Sequence, residues 1–228
     1  MTPLTRAFLG ALLASTALPA LAADIPTRTK APAPVLAEPS PWMIRIRALS
    51  VIPRDSASVS ISGATVAGGN LNASNSLVPE LDITYFFTKN IAAELVLGVS
   101  PHDVKGSGTL ASQGKIGSTW LLPPTLTLQY HFTDFGAFKP YVGAGPNYTF
   151  TFNNEHKGNF TAFKVKNAPG FALQAGFDYM LDKNWGLNVD VKKYWLRPDA
   201  TGTVGGAPVT AKVRLDPWLI ATGITYRF

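Results

Sequence analysis

The sequence predicts an all-β fold: an eight-stranded antiparallel transmembrane β-barrel with long extracellular loops and short periplasmic turns. Three observations lead there. Of 228 residues, 46% are hydrophobic and only 15% charged, against roughly 25% charged in a typical soluble domain. Outside the N-terminus no apolar run approaches the roughly 20 residues that a spanning helix needs, because Lys, Asp, Asn, Gly or Pro interrupts each one. Long stretches instead alternate with the period of two that strands require, and a closed barrel is the other structure that satisfies every backbone group in lipid.

The N-terminus reads as a targeting segment. Arg6 supplies a positive start, Ala7 to Leu18 is apolar on all sides and too short to span, and Ala20-Leu21-Ala22 has the small-x-small cleavage pattern. Residues 1–22 are therefore expected to be a signal peptide for Sec export, removed on the way to the bacterial outer membrane. Residues 23–41 carry alternating prolines, which favour an extended chain and cannot join a sheet ladder. They are expected to form a Pro-rich periplasmic tail, with residues 42–228 forming the barrel.

Seven segments show strand alternation. Leu81–Thr88 and Phe138–Phe152 are two of them. Ile91, Ala93, Leu95, Leu97 and Val99 share one face, and Leu122, Pro124, Leu126, Leu128, Tyr130 and Phe132 share another. Phe171 to Tyr179, Trp185 to Val191 and Trp218 to Phe228 repeat the pattern with Asp178, Asp190, Lys192 and Arg227 on the opposite faces. An eighth, less regular segment from Trp42 to Ile52 puts Arg45 and Arg47 on one side. Eight is an even number, as bacterial single-chain barrels require.

The connections alternate in length. Thr88-Lys89-Asn90, Thr133–Ala137 and Asp182-Lys183-Asn184 are short, with Asp and Asn turn chemistry. Pro53–Ser76, Pro101–Ser118, Asn153–Asn167 and Pro198–Thr210 are longer and rich in Gly, Ser, Thr and Asn. This is the asymmetry of an outer-membrane barrel. Aromatic residues gather at the short-turn end, with Tyr85, Phe86, Phe87, Tyr130, Phe132, Tyr179, Trp185, Tyr226 and Phe228 predicting an interfacial girdle. The aromatic end of the last strand also predicts a contact with the outer-membrane assembly machinery.

Leu122-Pro-Pro-Thr-Leu126, Pro140-Tyr-Val-Gly-Ala-Gly145 with Asn147-Tyr-Thr149, Gly176-Phe-Asp-Tyr179, Asn184-Trp185, Val213-Arg-Leu-Asp-Pro-Trp218 and Tyr226-Arg-Phe228 together resemble the OmpW family. The resemblance runs from about Trp42 to Phe228. It implies an eight-stranded barrel that passes small hydrophobic molecules, with the alkane-uptake protein AlkL as a relative. The Pro-rich tail is not part of that pattern.

An eight-stranded barrel is just wide enough for its own side chains or for one small ligand, so the inward faces decide function. The periplasmic half is expected to hold a plug of Arg45, Arg47, Asp82, Glu94, His131, Asp178, Asp190, Lys192 and Arg227. Both signs of charge are present, which allows a paired network; a gated ion path is the other reading. The extracellular half is expected to turn Leu49, Val51, Val78, Leu121, Pro123, Tyr194, Leu196, Leu215 and Leu219 inward as an apolar pocket, unless these side chains simply pack on one another. Pro79, Pro123, Pro124, Pro146, Pro169 and Pro217 all fall in the upper half and each removes a ladder donor. They either loosen the wall for a sideways exit into the bilayer or tolerate bulges near the loops.

Composition sets aside other classes. There is no cysteine for thiolate or disulfide chemistry, and the 20 Lys and Arg are dispersed rather than arrayed for nucleic acid. His102, His156 and His131 show no metal-ligand spacing, and no cofactor is expected. Ser100, His102 and Asp103 are the nearest approach to a hydrolytic set, placed in an outer loop, and no enzyme is expected. The expected function is passive passage of small hydrophobic molecules, with outer-membrane lipid and a small hydrophobic ligand as partners. The alternative is a structural or surface-interaction barrel acting as a receptor or adhesion scaffold without transport.

Overall fold

The computed structural model describes residues 40–228. The segments read as signal peptide and, apart from its last two residues, as Pro-rich tail lie outside the described residues.

Period-two alternation makes the wall. Strand β1, Trp42–Ile52, buries every second residue, from Met43 and Arg45 to Val51. The membrane-level strands that follow are β5 (Ser76–Phe86), β6 (Ile91–Gly98), β9 (Thr125–His131), β10 (Phe138–His156), β12 (Ala168–Met180), β13 (Trp185–Leu196) and β16 (Trp218–Arg227). Each pairs antiparallel with its neighbour in the chain, and β16 returns to β1 in the register Ile46↔Ile224, which closes the ring. Closure leaves no sheet edge in the bilayer. The short turns are made as their residues dictate: Thr88 Oγ1 accepts the N–H groups of Asn90 and Ile91, and Asp182 Oδ1 accepts those of Asn184 and Trp185.

Side chains of the outer face confirm the orientation toward lipid. Ile46, Leu126, Leu128, Leu173, Leu187, Ile220 and Ile224 are exposed. Aromatic pairs border them below, Trp42 with Tyr85 and Trp185 with Tyr226, and above, Trp120 with Phe152 and Phe171 with Trp195. Phe86 departs from the expected girdle. Its neighbours Tyr85 and Phe87 point outward, so the pleat turns Phe86 into the lumen, where it is buried.

The stretches expected as long loops are strands. The remaining elements are β2 (Ser56–Ile61), β3 (Ala64–Thr65), β4 (Gly69–Ala73), β7 (Ser100–Gly108), β8 (Lys115–Leu122), β11 (Phe160–Val165), β14 (Asp199–Val204) and β15 (Ala207–Arg214). They continue the membrane strands upward across breaks at Pro53–Asp55, Ser74-Asn75, Val99, Pro123-Pro124, Lys166-Asn167, Arg197-Pro198 and Leu215–Pro217. Above the breaks the polarity inverts. In the membrane the outside is apolar and the lower inside charged; above it, Val59, Leu71, Ile116, Phe160, Phe163, Val165 and Val209 form an apolar interior under a polar surface. The Ser, Thr and Gly content that suggested loops belongs to these water-facing sides.

Candidate functional site: the barrel lumen

The inward phase of the membrane strands brings charges of both signs to one level. Arg45 on β1 forms a fork with Asp178 on β12, Nε to Oδ1 at 3.0 Å and Nη2 to Oδ2 at 2.6 Å, and pairs through Nη1 with Glu94 on β6. Arg47, two residues on, lies between Glu80 and Asp82 of β5. Its Nη2 is 2.7 Å from Glu80 Oε1 and 2.5 Å from Asp82 Oδ2, at angles outside hydrogen-bond geometry, while Nη1 donates to Asn188 Oδ1 at 2.9 Å. Lys192 on β13 reaches Asp190 at 2.8 Å and Glu80 at 3.0 Å. Neutral groups join the charged ones: Gln174 donates to Glu94 and Asp190, Tyr141 donates to Asp190, and Thr225 donates to Asp178. Gly176 makes room for this, since a Cβ there would sit 2.6 Å from Tyr141 Oη. All of these side chains are buried, and such pairing is what offsets the several kcal/mol that each lone ion would cost in this medium.

Of the nine charged or titratable residues anticipated at this level, seven join the network. His131 sits at its lower rim, stacked on Tyr141 and linked through Gln129. Arg227 stands apart: it is half-buried, near the end of β16, with its guanidinium 4.3 Å over the Phe86 ring and no partner for its Nε among the described residues. Glu80 was missed, although the phase that turns Asp82 inward also turns Glu80 inward. Tyr141, Gln174 and Asn188 carry no charge and were not anticipated in the network, although strand phase places Gln174 beside Asp178 and Asn188 beside Asp190 on the inward faces.

Directly above lies a cavity of about 1020 Å³, its open mouth included. Leu49, Val51, Val78, Leu121, Pro123, Tyr194, Leu196, Leu215 and Leu219 all line it, and Glu80 forms part of its floor. Tyr194 hides its hydroxyl by bonding Thr125 at 2.8 Å, so it offers the cavity mainly its ring. The wall also includes Ser100, His102 and Thr119, which sequence reasoning had left outside the pocket. His102 is in a strand rather than a loop and is buried, with Nδ1 2.7 Å from Ser74 O and Nε2 2.9 Å from Ser100 Oγ. Asp103 pairs with Lys115 at 2.7 Å instead of backing the imidazole, so the three residues do not form a relay.

Beside Pro79 the ladder is interrupted on one side. The β5–β6 ladder ends at Glu80↔Gly98, and pairing resumes only at Ala73↔Val104 between β4 and β7. The interval is held by Ser74 N–H to Asp103 O, Asp103 N–H to Ser74 Oγ and the His102–Ser74 contact. A second seam separates β2 from β4. It is closed by side chains: Asn70 Oδ1 accepts the Ala57 N–H, and Asp55 Oδ2 accepts the Ala73 N–H.

Asp55 makes that seam sensitive to pH. Burial pushes its carboxyl from the ordinary 3.8 up to about 6, against the opposing pull of the Ala73 N–H. A raised carboxyl favours the folded seam in its protonated form, so its contribution is full below 3.8 and fades as pH rises through about 6. Asp55→Asn keeps an acceptor without the charge. It is expected to slow hydrogen exchange at the Ala73 amide at neutral pH and to leave it unchanged in acid. Equal protection of both proteins at neutral pH would refute this.

A family model described as the OmpW family matches residues 40–228. The chain belongs to the OmpW family. Among relatives of this OmpW-family barrel, the outer-membrane protein y4mB of Sinorhizobium fredii is 52% identical over 213 residues, 92% of this chain and 90% of its own. The dibenzothiophene metabolism operon protein PahQ of Pseudomonas aeruginosa is 33% identical over 196 residues, covering 86% of this chain and 92% of PahQ. The crystal structure of the outer membrane protein OprG from Pseudomonas aeruginosa superposes with a TM-score of 0.78 at 30% identity, over 84% of this chain and 97% of OprG. The protein is an outer-membrane OmpW-type barrel.

Proposed function

We propose that this barrel gives small hydrophobic molecules a passive route inward: into the apolar cavity from outside, then sideways into the bilayer. The observation that carries the reading is the stacking of an apolar cavity on a buried ionic network within one lumen. A hydrophobic solute gains about 25 cal/mol for each Å² of apolar surface it buries there. The charges beneath oppose its descent, which leaves the wall. The interrupted ladder beside Pro79 borders the cavity at Val78, Gly98 and Ser100. The name of PahQ, which ties that relative to metabolism of dibenzothiophene, supports the same class of solute.

Uptake of a hydrophobic reporter into liposomes carrying the barrel tests the conduit. Wild type should exceed protein-free liposomes, and Leu121→Asp or Leu219→Asp should bring uptake down toward the protein-free rate. Variants that transport as well as wild type would refute the pocket, and no wild-type uptake at all would favour a surface-interaction scaffold. The exit has its own test, because the chain has no cysteine. Pro79→Cys with Val99→Cys, next in register beyond Glu80↔Gly98, would staple the interval. Uptake should drop on oxidation and recover on reduction; indifference to the staple would refute the sideways route.

A further inference from the structure

The cavity is not uniformly apolar. On β7, Ser100 and His102 are two residues apart and both face inward; on β8, Thr119 lies directly opposite His102 in the ladder. These three side chains form one polar spot in a wall built mainly from Leu, Val and Pro, whose other polar residues are Asp55, Asn72, Glu80, Thr149 and Tyr194. Their hydrogen-bond inventory is incomplete in a specific way. Ser74 O can only accept, so His102 Nδ1 carries the hydrogen. With no carboxylate in contact, a buried imidazole stays neutral, and its Nε2 is then an acceptor that takes the Ser100 hydroxyl hydrogen. Ser100 Oγ is left with lone pairs but nothing to donate. Thr119, 3% exposed, has a hydroxyl with no partner among the described residues.

A buried hydroxyl without a partner costs about 1–3 kcal/mol, which a ligand could recover. The group that fits must donate to Ser100 and exchange a bond with Thr119, and a hydroxyl does both. An ether or ester only accepts, and a hydrocarbon does neither. Among the described residues no Lys or Arg lines the cavity, while Glu80 and Asp55 do, so an anionic headgroup finds no counter-charge.

We propose that Ser100, His102 and Thr119 form a hydroxyl-reading subsite, and that the preferred ligand is a neutral hydrophobic alcohol or phenol rather than a bare hydrocarbon. This rests on the conduit reading and narrows its solute class. Entry of the chain end or ring is driven by the leucines; orientation comes from the polar spot on β7 and β8.

The test uses the full-length barrel in lipid nanodiscs with three probes of similar length: 1-decanol, methyl nonyl ether and decane, compared at equal mole fraction in the lipid. NMR signals of the His102 ring, the Thr119 methyl and the Leu219 methyls report occupancy. Decanol should bind about tenfold more tightly than ether or decane, the worth of one added buried hydrogen bond, and should move the His102 and Thr119 signals. Thr119→Val, which keeps the shape, and Ser100→Ala should each bring the decanol-to-decane ratio toward one. Equal affinities for the three probes, or an unchanged ratio in both variants, would overturn the subsite while leaving the conduit standing. Failure of every probe to move the Leu219 methyls would overturn both.

Discussion

Arg45→Met is expected to cost the folded barrel about 3–5 kcal/mol, the range found when one partner of a buried ion pair is removed. The methionine fills most of the volume, so the loss is electrostatic. Asp178 loses both arms of its fork and keeps only bonds from Thr225 and Asn188; Glu94 keeps Gln174 and Thr84. Two carboxylates then stand in a low-dielectric lumen without the cation that balanced them. Urea unfolding from lipid vesicles, followed by tryptophan fluorescence, reads the change. The triple variant Arg45→Met, Glu94→Gln, Asp178→Asn should regain most of it, because the stranded charges are gone. A loss below about 1 kcal/mol, the scale of an exposed pair, would mean that water already screens this site.

Arg47→Ala is expected to make the barrel conduct, with a preference for cations, where the intact network is expected to pass no ions. The guanidinium fills the space between Glu80, Asp82, Asp190 and Asn188, and alanine empties it. In the whole network three cations, Arg45, Arg47 and Lys192, face five carboxylates, Glu80, Asp82, Glu94, Asp178 and Asp190. Removing one cation deepens the negative excess around the new opening. Planar-bilayer recordings should show resolvable current steps for the variant and a flat baseline for wild type. A variant that stays silent, or that prefers anions, would show that the seal does not depend on Arg47.

The barrel itself was legible because lipid and lumen impose opposite demands on successive residues. Arg45 and Arg47, Glu94, Asp178, Asp190 and Lys192 could all be assigned inward from phase alone. Their partners could not: Arg45 meets Asp178 from 133 positions away, and that meeting depends on how far the closed sheet is sheared. Glu80 was missed because the expected strand began at Leu81, whereas β5 begins at Ser76. The extracellular strands were hidden for a different reason. Water bathes their outer sides, so segments such as Ser56–Ile61, with Val59 as the one buried apolar residue, look like polar loops. The polar spot opposite Thr119 was equally obscure, since a serine and a histidine two apart acquire meaning only once Thr119 on the next strand is known to face them.

The ionic network draws on every membrane-level strand: Arg45 from β1, Glu80 from β5, Glu94 from β6, Gln129 from β9, Tyr141 from β10, Gln174 from β12, Asp190 from β13 and Thr225 from β16. An unfinished sheet can make only the pairs within one strand or between neighbours, such as Lys192 with Asp190 and Arg47 with Glu80. Until the first and last strands join, Arg45 and Asp178 have no common lumen in which to meet, and a slip of one residue on any strand would turn its contribution out toward lipid. Only the complete ring in the correct register brings all of these charges together.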